Sequence, residues 1–352
     1  MVSLTMNRET RNGAAGQRAE KHGTERPDRE TGKPGPEQKG AVMKYPSAVI
    51  LTEVGLRDGL QNECTSVSTD QKFELLGDIL DAGFKAVEIG SFVRADRVPQ
   101  MADSGELFKR AAALNRDDVD FRALVPNYRG LENALASGCR SVKIGVSASA
   151  AHNLRNYNRT PEESIAAFEK SFALAAEAGI QVIGTVQMAF GSPWDGEIPA
   201  EKILSIVEIY KQYGIRKVGL GDTASMANPR STYAICSTLL DRYPDIHFKL
   251  HLHTARGLGL PNVMAAMEAG ITEFDSSFAG LGGCPFVPEA AGNISTEDLL
   301  NMLNELGVET GIDMEKVLEI GRKAEQLVGH PGRSAVLRAG TSQDLVRRVS
   351  AK

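Results

Sequence analysis

"AVILTEV" (residues 48–54), "STDQKFELLGDILDAG" (68–83) and "AVEIGSF" (86–92) follow one another early in the chain. The first and third are short runs rich in β-branched and apolar residues, as a buried strand requires. The second carries apolar residues at helical spacing, opens on Ser68 and stops at Gly83, residues suited to starting and ending a helix. Together they form one strand, helix, strand unit. The rhythm continues through "VDFRALV" (119–125), "SVKIGVS" (141–147), "IQVIGTVQMA" (180–189), "RKVGLGD" (216–222), "IHFKLHLH" (246–253) and "TEFDSSF" (272–278). Between these runs, "NYRGLENALASG" (127–138), "TPEESIAAFEKSFALAAEAG" (160–179) and "LPNVMAAMEAG" (260–270) repeat the helical spacing. Eight such units predict an α/β fold, a (β/α)8 TIM barrel, with functional groups at the carboxyl ends of its strands. A doubly wound sheet would need fewer strands and a glycine-rich nucleotide fingerprint after the first, which is absent.

The chain has 352 residues, 42% hydrophobic and 24% charged, ordinary proportions for a globular protein with a sizeable core. Forty basic residues against forty-five acidic ones give a formal net charge of −5. That balance offers no global basic field, so neither nucleic acid nor a membrane is expected as a partner. The longest apolar runs are too short to span a bilayer. Cys64, Cys139, Cys236 and Cys284 are widely separated and match no zinc spacing, which favours free thiols in a reducing, cytoplasmic compartment. The first forty residues hold eight Lys/Arg, six Asp/Glu and no aromatic residue, and read as a disordered tail. Their acidic content argues against a transit peptide, and Met43 is an alternative start. The expected organisation is a tail over 1–42, a barrel with a short C-terminal helical extension over 43–340, and a C-terminal tail over 341–352.

Polar residues fall at the predicted strand ends. Arg57 and Asp58 follow the first strand in "EVGLRDGLQNE" (53–63), with Gln61 on the same loop. Glu88 lies within the second strand, Asp222 closes the sixth, and His251 and His253 end the seventh. Residues two apart on a strand face the same way, so both imidazoles can converge at the barrel mouth. Asp58, His251, His253 and Asn293 offer two nitrogens and two oxygens, a set suited to a divalent ion such as Mg2+ or Mn2+, although histidine also serves zinc. Cys284 lies in "GLGGCPFVPEAAGN" (280–293), a turn-rich stretch where a thiol can reach a ligand. Each group also has a structural reading. A His-x-His pair can be purely structural, Arg57 and Asp58 can form a loop salt bridge, and Asp222 can cap the next helix. Glu88 can serve to satisfy a buried Arg57, and "GLGGCP" can be a tight turn. Their shared position at one mouth favours a site.

"EVGLRDGLQNE", "AVEIGSFV" followed by "VPQM", "LGDT", "HLH" and "AGLGGCPF…GN…TEDL" resemble, in this order, the 3-hydroxy-3-methylglutaryl-CoA lyases of the DRE-TIM metallolyase superfamily. The resemblance runs from about residue 48 to residue 330. It implies a barrel enzyme, usually a homodimer, that binds an acyl-CoA and cleaves it to acetyl-CoA and acetoacetate with Mg2+ or Mn2+. It implies Asp58, His251, His253 and Asn293 as metal ligands and Cys284 as the catalytic loop cysteine. Arg57, Glu88 and Asp222 match further active-site residues of the family. On this reading Asp58 or His251 is the general base, Arg57 with Gln61 meets the substrate, and Cys284 is the general acid.

Three positions depart from the family pattern. Thr254 and Arg256 stand where the lyases carry Asp and Tyr after the second histidine, and Ala150 stands in a glutamate's place. They bear on the acyl group, and Arg256 reads either as a receptor for an extra carboxylate or as a solvent-facing residue. The alternatives are therefore a lyase of the same mechanism acting on another 3-hydroxyacyl-CoA, or a Claisen-condensing enzyme of the isopropylmalate or citramalate synthase type.

Overall fold

The computed structural model describes residues 45–283 and 292–350. The expected tail over 1–42 and Cys284 therefore lie outside the described residues. Eight parallel strands close into a barrel in chain order: β1 (Ile50–Glu53), β2 (Ala86–Ser91), β3 (Asp120–Leu124), β4 (Ser141–Ser147), β5 (Gln181–Gln187), β6 (Lys217–Gly221), β7 (His247–His251) and β8 (Glu273–Ser276). The seam is made by β1 on β8, with Ile50 opposite Glu273 and Glu53 opposite Ser276. All eight strands coincide with the eight runs read from the sequence.

The helices form where their caps direct. Thr69–Asp81 starts at Ser68, whose side chain accepts from the Gln71 backbone while the Gln71 side chain accepts from the Ser68 N–H. Pro161–Glu177 starts with the same reciprocal pair at Thr160 and Glu163. Each of these boxes satisfies two N–H groups that the first turn leaves without partners. Thr296–Glu305 follows β8 as the last helix of the barrel, and beyond it helices span Met314–Val328, Ala335–Ala339 and Ser342–Ser350, the last with none of its side chains buried. Among the described residues no helix is long and apolar enough to cross a membrane.

Alternation along the strands separates two interiors. Val142, Ile144 and Val146 on β4, Val218 and Leu220 on β6, and Phe248 and Leu250 on β7 are buried in the apolar core under the helices. Residues of opposite parity enter the barrel lumen, and many are charged. At its floor the fully buried Glu273 carboxylate meets Arg122 (2.7 Å), Lys217 (2.7 Å), His247 (2.8 Å) and Lys249 (3.4 Å). Gly219 leaves room for the Lys249 stem, whose Cγ lies 3.4 Å from where a Cβ would stand. This lumen departs from the branched aliphatic filling common in such barrels.

Burial alone would raise the Glu273 pKa, but the surrounding cations outweigh it and hold the carboxyl far below its ordinary range. A depressed carboxyl stabilises the fold above its unfolded pKa, and that contribution is lost as pH falls. Glu273→Gln leaves several cations without their anion. It is expected to cost about 3–5 kcal/mol and to flatten the acid limb of a Tm against pH curve. Thermal unfolding followed by circular dichroism checks both outcomes, and a variant with unchanged Tm would remove the floor cluster from the account of stability.

Candidate active site

The backbone after β1 turns at once into one wide helical turn, Gly55–Gly59, with Gly59 N–H and Leu60 N–H bonded back to Val54 and Gly55 carbonyls. Gly55 is required here, since a Cβ would lie 2.3 Å from the Phe278 ring. This turn carries Arg57 and Asp58, both buried, into the carboxyl-terminal mouth. His251 ends β7, and His253 lies two residues beyond it, held opposite Asn293 by an isolated antiparallel bridge. Strand parity brings the rings together, with the two Nε2 atoms 3.1 Å apart.

Asp58 is organised from both sides. Its Oδ1 accepts from Arg57 and from Gln61 Nε2 (2.7 Å), and its Oδ2 accepts from Asn293 Nδ2 (2.8 Å) and lies 3.6 Å from His251 Nε2. Burial opposes its ionisation, but Arg57 and the two histidines outweigh this and keep the carboxyl well below the usual range. Burial, with His251 beside it, pushes His253 down to about 4. His251 Nδ1 lies 3.2 Å from Asp275 Oδ2, which leaves Nε2 to face His253 and Asp58.

Arg57 Nε donates to Glu88 Oε1 (2.5 Å), as the structural reading of Glu88 anticipated. Glu88 Oε2 accepts from Lys143 Nζ (2.7 Å), and the same ammonium reaches Asp275 Oδ2 (3.3 Å). Asp58, Arg57, Glu88, Lys143, Asp275 and His251 thus form a closed ring of side chains drawn from β1, β2, β4, β8 and β7. Asp222 stands apart from this ring. Its Oδ1 accepts from Met226 and Ala227 N–H (2.7 and 3.0 Å), its Oδ2 is buried without a hydrogen bond, and burial raises it to about 6. It staples the loop after β6 and does not cap the next helix, Pro229–Arg242, whose N-cap is Asn228.

The donor set fits a divalent ion. One ligand atom each from Asp58, His251 and His253 lie within 4.8 Å of one another. Asn293 spends Nδ2 on Asp58 and on Leu281 O (3.0 Å), while its buried Oδ1 has no hydrogen-bond partner. Two imidazole nitrogens and a carboxylate in one cluster, with an unpartnered amide oxygen on the residue bonded to that carboxylate, are donors of the kind a divalent ion takes. The carboxylate of Asp275 behind His251 supplies the orienting partner that a ligand histidine ordinarily has.

Two buried carboxylates missed in the sequence hold the backbone just after β1 and β8. Glu53 Oε1 accepts from Gly55 and Phe278 N–H (2.7 and 3.0 Å), and its Oε2 accepts from Thr296 Oγ1 (2.6 Å). Glu297 accepts from Ala279 N–H (2.8 Å), where the backbone is left-handed at φ 55°. Burial pushes Glu53 up to about 8 and Glu297 up to about 7. Lys143 and Asp275 were also read only as strand residues. Their signal was a charge set out of phase with the apolar positions of "SVKIGVS" and "TEFDSSF". Of the departing positions, Arg256 donates Nη1 to the Ala224 and Ser225 carbonyls (3.1 and 2.9 Å), and Ala150 is exposed at a helix start capped by Ser149.

This is an enzyme built on a (β/α)8 barrel, with an acid, imidazole and guanidinium site at the catalytic mouth. Residues 48–323 match the HMGL-like family model, and the chain belongs to that family, the hydroxymethylglutaryl-CoA lyase family. A hydroxymethylglutaryl-CoA lyase of Bacillus subtilis is 36% identical over 290 residues, 82% of this chain and 96% of the relative. An (R)-citramalyl-CoA lyase of Chloroflexus aurantiacus is 39% identical over 301 residues, 83% of this chain and 95% of the relative. The solved structure of an HMG-CoA lyase from Acinetobacter baumannii, in complex with coenzyme A and 3-methylmalate, superposes with TM-score 0.80 at 38% identity, covering 85% of this chain and 97% of its own.

Gly282 adjoins the ligand pair with φ +92°, and a Cβ there would stand 2.5 Å from Asp58 O and 2.7 Å from Asn293 Nδ2. Gly282→Ala is expected to displace both ligands and weaken Mn2+ binding by at least about tenfold, with a fall in Tm from the strained backbone. Calorimetric titration with Mn2+ checks this, and unchanged affinity would separate Gly282 from the ligand set.

Proposed function

We propose that this chain is a divalent-metal-dependent lyase that cleaves 3-hydroxy-3-methylglutaryl-CoA into acetyl-CoA and acetoacetate. The observation that carries the reading is the pair of Nε2 atoms 3.1 Å apart beside the Asp58 carboxylate and the unpartnered Asn293 Oδ1. The lyase relatives supply the substrate class. Held by Asp58, His251, His253 and Asn293, Mg2+ or Mn2+ supplies Lewis acidity toward the hydroxyl and carboxylate oxygens of the acyl group. Asp58 and His251 are the candidate bases for the tertiary hydroxyl proton. As the carbonyl forms, the carbon–carbon bond breaks and its electron pair passes to the thioester enolate. The Arg57 guanidinium, fixed by Glu88 and Asp58, faces the negative charge that develops on the enolate oxygen. Cys284 donates a proton to the enolate carbon, so that one proton is taken and one returned in each turnover. Gln61 keeps Asp58 oriented. The reading includes a homodimer in the cytoplasm.

A second substrate is favoured by the 39% identity to the citramalyl-CoA lyase. Citramalyl-CoA lacks one methylene between its carbinol carbon and its carboxylate, and the same cleavage of it yields acetyl-CoA and pyruvate. Arg256 lies three residues past His253, is exposed, and commits one guanidinium nitrogen to the Ala224 and Ser225 carbonyls of the loop after β6, so on this reading its remaining N–H groups are left to meet the acyl carboxylate.

Purified protein is expected to lose turnover on chelation and to regain it with Mg2+ or Mn2+. His253→Ala is expected to weaken metal binding, and Cys284→Ser to slow turnover by about 10²- to 10⁴-fold. Product analysis on both thioesters decides the acyl group, acetoacetate marking the first and pyruvate the second. Arg256→Tyr is expected to shift kcat/KM toward the methylglutaryl substrate if citramalyl-CoA is preferred. Full turnover in a verified metal-free preparation would overturn the metal role. Cleavage of neither thioester by the metal-loaded protein would overturn the lyase assignment, and condensation of acetyl-CoA with a 2-oxo acid would replace it.

A further inference from the structure

Lys143 enters neither the sequence-derived site nor the reaction proposed above, yet it occupies the one link that closes the ring. It projects from β4 into the lumen and is buried. Its two carboxylate partners belong to β2 and β8, the strands on either side of β1, so the ammonium reaches across the barrel from the opposite wall. Each partner stands behind a different functional group. Glu88 holds the Arg57 guanidinium through Nε at 2.5 Å, and Asp275 faces His251 Nδ1 at 3.2 Å.

The charge count shows what the ammonium does. Asp58, Glu88 and Asp275 bring three negative charges, and Arg57, Lys143 and Lys249 bring three positive ones. Lys249 contacts Asp275 from below and pairs otherwise with Glu273. Without Lys143, Glu88 keeps Arg57 and Asp275 keeps Lys249, but no ion pair then bridges the two carboxylates, whose like charges repel in the buried lumen. They would separate, and each would carry its partner along. A lysine suits the position because a long stem ending in three donors can satisfy two carboxylates from different strands at once.

We propose that Lys143 is a positioning residue that couples the Arg57 guanidinium to the His251 imidazole and fixes the distance between them. What that distance serves rests on the lyase reading, while the coupling itself is a property of the ring. Lys143→Met keeps the stem and removes the charge, and Lys143→Arg keeps the charge.

The test combines crystal structures of the protein and both variants with steady-state kinetics on 3-hydroxy-3-methylglutaryl-CoA and citramalyl-CoA. In Lys143→Met, Arg57 is expected to move by more than about 0.5 Å, the tolerance of an organised site. On the thioester that the unsubstituted protein cleaves, kcat is expected to fall by about 10- to 100-fold with a smaller change in KM. Lys143→Arg is expected to recover part of that loss. In a Glu88→Gln background, Lys143→Met should cost little more, because the route through Glu88 is already cut. Should Lys143→Met fail to fold, Lys143→Gln, which retains a donor, carries the same measurements. Ring side chains in place with kcat unchanged per folded molecule would overturn the proposal, whatever happens to Tm. If the unsubstituted protein cleaves neither thioester, the lyase reading falls and the displacement of Arg57 alone decides the role of Lys143.

Discussion

Six charged or titratable side chains closed into a ring across a barrel lumen set the terms for everything above them. Burying an ion costs several kcal/mol unless partners meet it with good geometry, and here each member is met by two neighbours within the ring. The ring holds Arg57 through Nε and Nη1 and His251 through Nδ1, and its remaining link, His251 Nε2 to Asp58 Oδ2 at 3.6 Å, joins the atoms that an ion would take. The wide turn at Gly55–Gly59 carries Arg57 and Asp58, the bridge between His253 and Asn293 joins two loops, and the carboxylates of Glu53 and Glu297 bind backbone N–H groups after β1 and β8.

Below the ring, the floor cluster around Glu273 extends the same logic toward the opposite mouth through Lys249, which touches both Asp275 and Glu273. The barrel is thus held by two unlike interiors. Aliphatic side chains under the helices supply non-directional burial, and the lumen supplies a directional set of ion pairs that tolerates one register only. A slip of one residue in any strand would turn its charges into the apolar layer and its aliphatic residues into the lumen.

The fold was legible because strand and helix periods differ and the caps and stops stand where each helix begins and ends. The cluster of Asp58, His251, His253 and Asn293 was legible because His251 and His253 are two apart, a spacing with a definite geometric consequence, and because Asp58 and Asn293 sit in loops where polar residues stand out. The partners behind them were not. Lys143, Lys249 and Asp275 lie inside strands, and a charge there announces only that it must be paired. Its partner comes from a strand remote in sequence, as Glu88 and Asp275 do for Lys143, and no local pattern names it. Arg256 could be read two ways because its environment is made by the loop after β6, which its own neighbours in sequence do not predict.

The seam between β1 and β8 joins residues more than 200 positions apart, and the ring straddles it. Asp58 and Arg57 arrive from the first strand, and Asp275 arrives from the last. During folding, these charges meet only when the two ends of the sheet find each other, the contact of greatest sequence separation in the barrel and the slowest class to form. A sheet wound from β1 to β4 would hold Asp58, Glu88 and Lys143 but not His251, His253 or Asn293. Competence for binding therefore arises in one step with closure of the cylinder, and no fragment of this chain short of a closed barrel inherits a fraction of it.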